Sequence, residues 1–133
     1  MQTLWFTPES GGQMFGKVED GNIIVTEVTL PRAKDKRTRT SFLLDVPSAN
    51  VEVVEHFARG LHYLGDWHTH PQDEPEPSQE DRQNASRLFK AAAGRPCLVM
   101  AIVGRNRTYV GVHNATKMIT LTEVKQRRRN RWL

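Results

Sequence analysis

His62-Tyr63-Leu64-Gly65-Asp66-Trp67-His68-Thr69-His70-Pro71 is the stretch whose reading decides the fold. It reads as a strand that delivers two histidines at its C-terminal end. Side chains alternate faces along a strand, so His68 and His70 point the same way. Pro71 stops the strand, because it cannot donate to a ladder. Trp67 alternates away from the histidines and is expected to pack in the core or lie beside the site. A third partner is available in Asp81, three residues after Ser78 in a segment that reads as a helix start. Two imidazole nitrogens and one carboxylate oxygen are a common catalytic zinc set that leaves one coordination position open.

Upstream of this strand, Leu4 to Phe6 reads as a short strand, followed by Glu9-Ser10-Gly11-Gly12. The glycine pair permits close backbone approach. Met14 to Val18 and Ile23 to Leu30 flank the turn signal Asp20-Gly21 and should pair as a hairpin, which Pro31 ends. Arg32 to Thr40 is a basic loop, and Ser41 to Asp45 a further strand. Ser48 is expected to cap a helix over Ala49 to Arg59, with Val51, Val54, Phe57 and Ala58 at helical spacing. Downstream, Gln72 to Pro77 is a stiff, solvated loop. Ser78 caps a second helix carrying Ala85, Leu88, Phe89 and Ala92 on one face, closed by Gly94 and Pro96. Cys97 to Val103 is an unbroken apolar run, hence a strand buried on both faces. Arg107 to Val112 should return antiparallel, and Met118 to Val124 forms a last strand. The order predicts an α+β, or mixed α/β, single domain: a mixed, mainly antiparallel sheet flanked by two main helices. The domain is expected over 1–124, with a basic tail over 125–133.

Composition narrows the classes. The 133 residues suffice for one core, and 38% of them are hydrophobic. The single cysteine, Cys97, excludes an internal disulfide and a thiolate zinc site, and reads as a small core hydrophobe. No apolar run of membrane-spanning length occurs and the first residues lack signal-peptide character, so a cytoplasmic location with no membrane partner is expected. The formal charge of +4 is concentrated in the segments around Arg32 to Arg39 and Lys125 to Arg131. Such clusters are usually solvated, though they also suit phosphate backbones or acidic surfaces.

Each candidate residue also has a plain structural role. Ser78 and Asp81 match a helix-capping pair, and both functions are compatible. His56, His62 and His113 read as structural or solvent-facing. Glu19 and Glu27 compete with Glu9 as an acid, but neither stands beside the glycine pair.

His68-x-His70-Pro71, then Ser78-x-x-Asp81, with Glu9 in an upstream Glu-Ser-Gly-Gly segment, resembles the JAMM (MPN-type) metallopeptidase family over about Glu9 to Val112. The resemblance implies one zinc ion held by His68, His70 and Asp81, with Glu9 as general base and then acid, and Ser78 as a donor to the oxyanion. It implies hydrolysis of the bond after the C-terminus of a ubiquitin-like or otherwise conjugated protein. The combination with Gly65-Asp66-Trp67 looks most like compact bacterial members encoded beside E1- and E2-like conjugating enzymes, including those of antiphage defence, which makes such enzymes possible partners. Two rival readings are a peptidase that processes sulfur-carrier proteins and a non-enzymatic nucleic-acid-binding module using the basic clusters. Gln13 departs from the aliphatic residue usual at its place. Substrate contacts are expected from Arg32 to Thr40, Ala49 to Arg59 and Gln72 to Pro77.

Overall fold

A computed structural model describes residues 9–37, 42–91 and 97–124. Strands β1 (Gly11–Glu19) and β2 (Asn22–Val28) form the expected hairpin. Asp20 and Gly21 both take positive φ, 50° and 76°, so the two-residue turn twists with the strands it joins. The next elements are β3 (Lys36–Arg37), β4 (Phe42–Leu43), α1 (Val46–Ala58) and β5 (His62–Thr69). They are followed by α2 (Gln79–Ala91), β6 (Leu98–Val103), β7 (Thr108–His113) and β8 (Met118–Thr120).

Six strands make one sheet in the order β2-β1-β5-β6-β7-β8. Among the described residues only the β5–β6 pair is parallel, and α2 provides the crossover that a parallel pair requires. The architecture is the mixed, mainly antiparallel sheet with two helices that the sequence predicts. Both helices reach one face of it: Val53 of α1 and Phe89 of α2 pack on Phe15, Tyr63 and Leu98. Farther along α2, Ala85 packs with Met100 and Ile102. The opposite face gathers Met14, Leu64 and Val99, with Trp67 and Val112 against them. Phe15 and Ile102 are fully buried, each contributing about 1.5–3 kcal/mol through lost apolar surface.

The first helix departs from its expectation in two respects. It begins earlier, capped by Asp45, whose carboxylate accepts from Ser48 N–H at 3.2 Å and Ser48 Oγ–H at 2.5 Å. Pro47, placed in the first turn where its missing N–H costs nothing, moves the start ahead of Ser48. Its buried side is also different. Val51, Val54 and Phe57 are exposed, whereas Ala49 and His56 face the sheet. His56 is structural: its ring stacks on Phe15 at 3.7 Å, and Nδ1 lies 2.8 Å from Glu52 O. The reason is close approach, since Gln13 on β1 donates to Ala49 O at 3.1 Å and only a small residue fits there.

Smaller differences follow from pairing. The strand expected over Ser41 to Asp45 is only Phe42–Leu43, paired with β3 in a separate two-stranded sheet. The loop expected over Arg32 to Thr40 thus contains a strand, and begins with a turn in which Arg32 N–H donates to Asp35 Oδ2 at 2.7 Å. The last strand ends at Thr120, short of Val124. Leu88 of α2 is 38% exposed and borders the cleft between the helices. The strand expected at Leu4 to Phe6, the residues Ala92, Gly94 and Pro96, and the basic tail lie outside the described residues.

Candidate metal centre

β5 carries His68 near its C-terminal end, and His70 follows one residue beyond the strand expected to include it. Its pairing with β1 places Gly11 opposite His68, so the chain preceding Gly11 runs alongside Thr69 and His70. Thr69 N–H donates to Ser10 O at 2.8 Å, and Ser10 N–H to Thr69 Oγ1 at 2.9 Å, which closes the ladder one step further. Glu9 is thereby brought beside the histidines from almost sixty residues away. Arg37 of β3 holds the same segment, donating to Glu9 O at 3.0 Å and to Ser10 Oγ at 3.0 Å. A Cβ on Gly11 would meet the Phe42 ring at 2.4 Å and Trp67 O at 2.8 Å, so the glycine lets β4 lie over β1. Neither Glu19 nor Glu27 reaches this place: Glu19 ends β1 at the far turn, and Glu27 pairs with Arg59 at 3.0 Å.

From the other side, α2 presents Asp81. Ser78 Oγ accepts from Asp81 N–H at 3.0 Å while Asp81 Oδ2 accepts from Ser78 N–H at 2.9 Å, a reciprocal cap. The loop leading to it is pinned by the β6–β7 turn: Arg105 N–H donates to Gln72 O at 2.8 Å, and Asn106 and Arg107 N–H to Asp73 O at 3.1 and 3.0 Å.

His68 Nε2 lies 3.3 Å from Asp81 Oδ1, and His70 Nε2 lies 3.5 Å from Asp81 Oδ2. Each of the three residues offers one ligand atom to a cluster within 4.8 Å. Tetrahedral ligands about 2.0–2.1 Å from a zinc ion are separated by about 3.3 Å, so the spacing fits such an ion. The donor chemistry fits as well: His68 Nε2 is buried and makes no hydrogen bond. Burial, reinforced by the neighbouring His68, lowers the pKa of His70 and favours the neutral, ligating imidazole. Burial of Asp81 alone would raise its pKa, but His68 and the Ser78 N–H outweigh it and hold the carboxyl near 2, ionised over the whole neutral range.

Glu9 differs from Asp81. It is only 4% exposed, and burial, opposed by His68 and reinforced by Asp81 and Glu80, raises its pKa to about 7. A carboxyl poised there can accept and return a proton near neutrality. In the cap, Ser78 Oγ accepts from the Asp81 N–H, and the hydroxyl also helps hold the Asp81 carboxylate ionised. The site opens into a cleft of about 1120 Å³ between α1 and α2, lined by Glu9, Asp66, His68, Ser78, Val53 and Leu98, among others.

All five residues singled out in the sequence therefore border one cleft. Other participants were given no role there. Arg37 gave no signal, being one cation among several in a basic stretch. Gln13 occupies its unusual place for a reason: it is buried, taking hydrogen bonds from Arg32 Nη2 at 2.5 Å and, on its N–H, donating to Thr29 Oγ1 at 2.8 Å. Asp66 did carry a signal, since it shares parity with His68 and His70. Burial, opposed by Tyr63, His68 and Arg32, raises its carboxyl to about 6. Trp67 packs as expected, with Nε1–H donating to Thr29 O at 3.0 Å.

Comparison with known proteins bears on family and fold. The family model "Prokaryotic homologs of the JAB domain" matches residues 1–121. A CD-NTase/cGAS isopeptidase of Pseudomonas aeruginosa is 38% identical over 109 residues, covering 77% of this chain and 66% of that protein. One from Escherichia coli is 33% identical over 113 residues, covering 83% and 70%. A probable metalloprotease of Sinorhizobium fredii is 32% identical over 108 residues, covering 75% and 66%. The chain thus spans about two thirds of the length of these relatives. The solution structure of a protein from Desulfitobacterium hafniense superposes with a TM-score of 0.63 over 90% of this chain and 78% of that one, at 20% identity, a likeness of fold. The chain therefore belongs to the family of prokaryotic homologues of the JAB domain.

Proposed function

We propose that this protein is a zinc-dependent isopeptidase that hydrolyses the amide bond joining the C-terminus of a ubiquitin-like or otherwise conjugated protein to its partner. The observation that carries the reading is the convergence of ligand atoms of His68, His70 and Asp81 within 4.8 Å of one another, with the raised carboxyl of Glu9 beside them. His68, His70 and Asp81 would hold a zinc ion, which would supply Lewis acidity toward a carbonyl and a water. Glu9 takes the proton from the attacking water and delivers it to the leaving amine. Ser78 donates its hydroxyl hydrogen to the oxygen that gains charge as the carbonyl becomes tetrahedral. Asp81 is kept ionised by His68 and by the Ser78 cap, which also orients it.

Relatives named CD-NTase/cGAS isopeptidases favour a conjugate of CD-NTase/cGAS type as substrate. E1- and E2-like conjugating enzymes as partners, and action within the cytoplasm in a bacterial defence system, are part of the same proposal. The domain proper is 1–124, and 125–133 a basic extension. The test is metal analysis of protein purified without chelator, followed by incubation with an isopeptide-linked conjugate. One zinc per chain and cleavage that Glu9→Ala abolishes without loss of metal are expected. Absence of stoichiometric zinc, or undiminished cleavage by Glu9→Ala, overturns the reading.

A further inference from the structure

Asp66 stands on β5 between Gln13 of β1 and Met100 of β6, on the face that carries His68. Two residues of strand separate it from His68, roughly 6.6 Å along the chain. Its orientation depends on an irregularity. The β1–β5 register shifts between Met14 and Phe15, leaving Leu64 without an opposite residue. Tyr63 and Asp66, three residues apart, consequently share a face, and Tyr63 Oη–H donates to Asp66 Oδ1 at 2.5 Å. Gly65 accommodates the bulge with φ 149°, and a Cβ there would strike Val99 O at 1.7 Å.

The carboxylate so fixed borders the cleft among largely apolar walls, Ala49 and Val53 from α1 with Leu98 and Met100 from β6. Among the described residues no lysine, arginine or histidine forms an ion pair with it. A buried carboxylate with no cation in contact is costly even though Arg32 and His68 act on it from a distance, and a Tyr63 hydroxyl would be satisfied equally by an amide. The core of the fold does not require the charge.

We propose that Asp66 is a specificity-determining residue, taking a lysine or arginine side chain that the substrate bears two residues from the scissile bond. This rests on the peptidase reading above. An extended substrate advances about 3.3 Å per residue, the same step as β5, so a side chain two residues from the carbonyl at the metal centre arrives over Asp66. The aliphatic stem of a lysine or arginine suits Val53 and Leu98, while its head reaches the carboxylate. A glutamate at that position would meet a fixed like charge.

The test uses fluorescein-labelled octapeptides with Lys, Gln or Glu two residues before, or two residues after, the scissile bond. Binding is measured by anisotropy on zinc-supplemented Glu9→Gln protein, and cleavage on the wild type. The Lys peptide of one series should bind at least tenfold more tightly than its Glu counterpart. Asp66→Asn in the same background should bring that ratio within twofold, and Asp66→Glu should retain a preference for Lys. A Lys-to-Glu ratio near one in the protein that keeps Asp66 overturns the proposal without recourse to any Asp66 variant. A ratio that survives Asp66→Asn overturns it as well. Failure of the wild type to cleave an isopeptide-linked conjugate refutes the isopeptidase reading, whatever the binding ratio; cleavage of that conjugate without selectivity among the peptides overturns this inference alone.

Discussion

Replacing Glu9 by glutamine should stabilise the metal-free protein at pH 8 while abolishing hydrolysis. In the folded chain the Glu9 carboxyl titrates near 7, against a usual value of 4.5, because burial disfavours its charge. At 1.36 kcal/mol per pH unit, this difference corresponds to a ceiling of about 3.4 kcal/mol. The cleft is open to water, which screens part of that cost, so on the order of 1–2 kcal/mol is expected. The sign follows from proton binding. Below pH 4.5 both folded and unfolded chains hold the proton, and wild type and Glu9→Gln should be equally stable. Between 4.5 and 7 the unfolded chain ionises first, so wild-type stability falls as pH rises. Above 7 the folded carboxylate carries its full burial cost, which the neutral amide avoids. The gap should thus open from near zero at pH 4 to a plateau by pH 8, or about 3–8 °C in melting temperature for a chain of this size. Urea unfolding of chelator-treated protein at half-unit pH steps measures it. A gap that is flat with pH, or wider at pH 4 than at pH 8, would refute the assignment of a buried, proton-holding Glu9.

Other outcomes follow from the same geometry. His68→Ala or Asp81→Ala should lose stoichiometric zinc by elemental analysis and, with it, all cleavage; retained metal would show that the ion sits elsewhere. Ser78→Ala should lower kcat about 10²–10³-fold through the lost oxyanion donor and cost about 1 kcal/mol through the lost cap, the two being separated by comparing turnover with urea unfolding. Val54→Ser and Phe57→Ser should change unfolding free energy by less than about 0.5 kcal/mol, because both side chains are exposed. A cost of 2 kcal/mol or more would mean that this face of α1 is covered.

Arg37 illustrates how function hides in composition. Its guanidinium holds Glu9 O and Ser10 Oγ, so one cation of a basic stretch belongs to the architecture of the site. Gln13 is a second case: an amide where an aliphatic residue is usual becomes intelligible once Ala49 O and Arg32 are seen on either side of it.

By itself the sequence determined what depends on near neighbours in the chain. Two histidines at strand spacing share a face, Ser78 and Asp81 cap a helix reciprocally, and the apolar run after Cys97 fills a central strand; each is a consequence of local periodicity or of hydrogen bonds spanning a few residues. Only the tertiary structure decided that β1 pairs with β5, which sets Glu9 beside His70, and that Ala49 and His56 turn α1 inward while Val54 and Phe57 face out. It also decided the bulge that turns Tyr63 onto Asp66. These depend on which strand is neighbour to which and in what register. Hydrophobic spacing along one segment specifies a stripe or a face, and the partner that covers it is set by the rest of the chain.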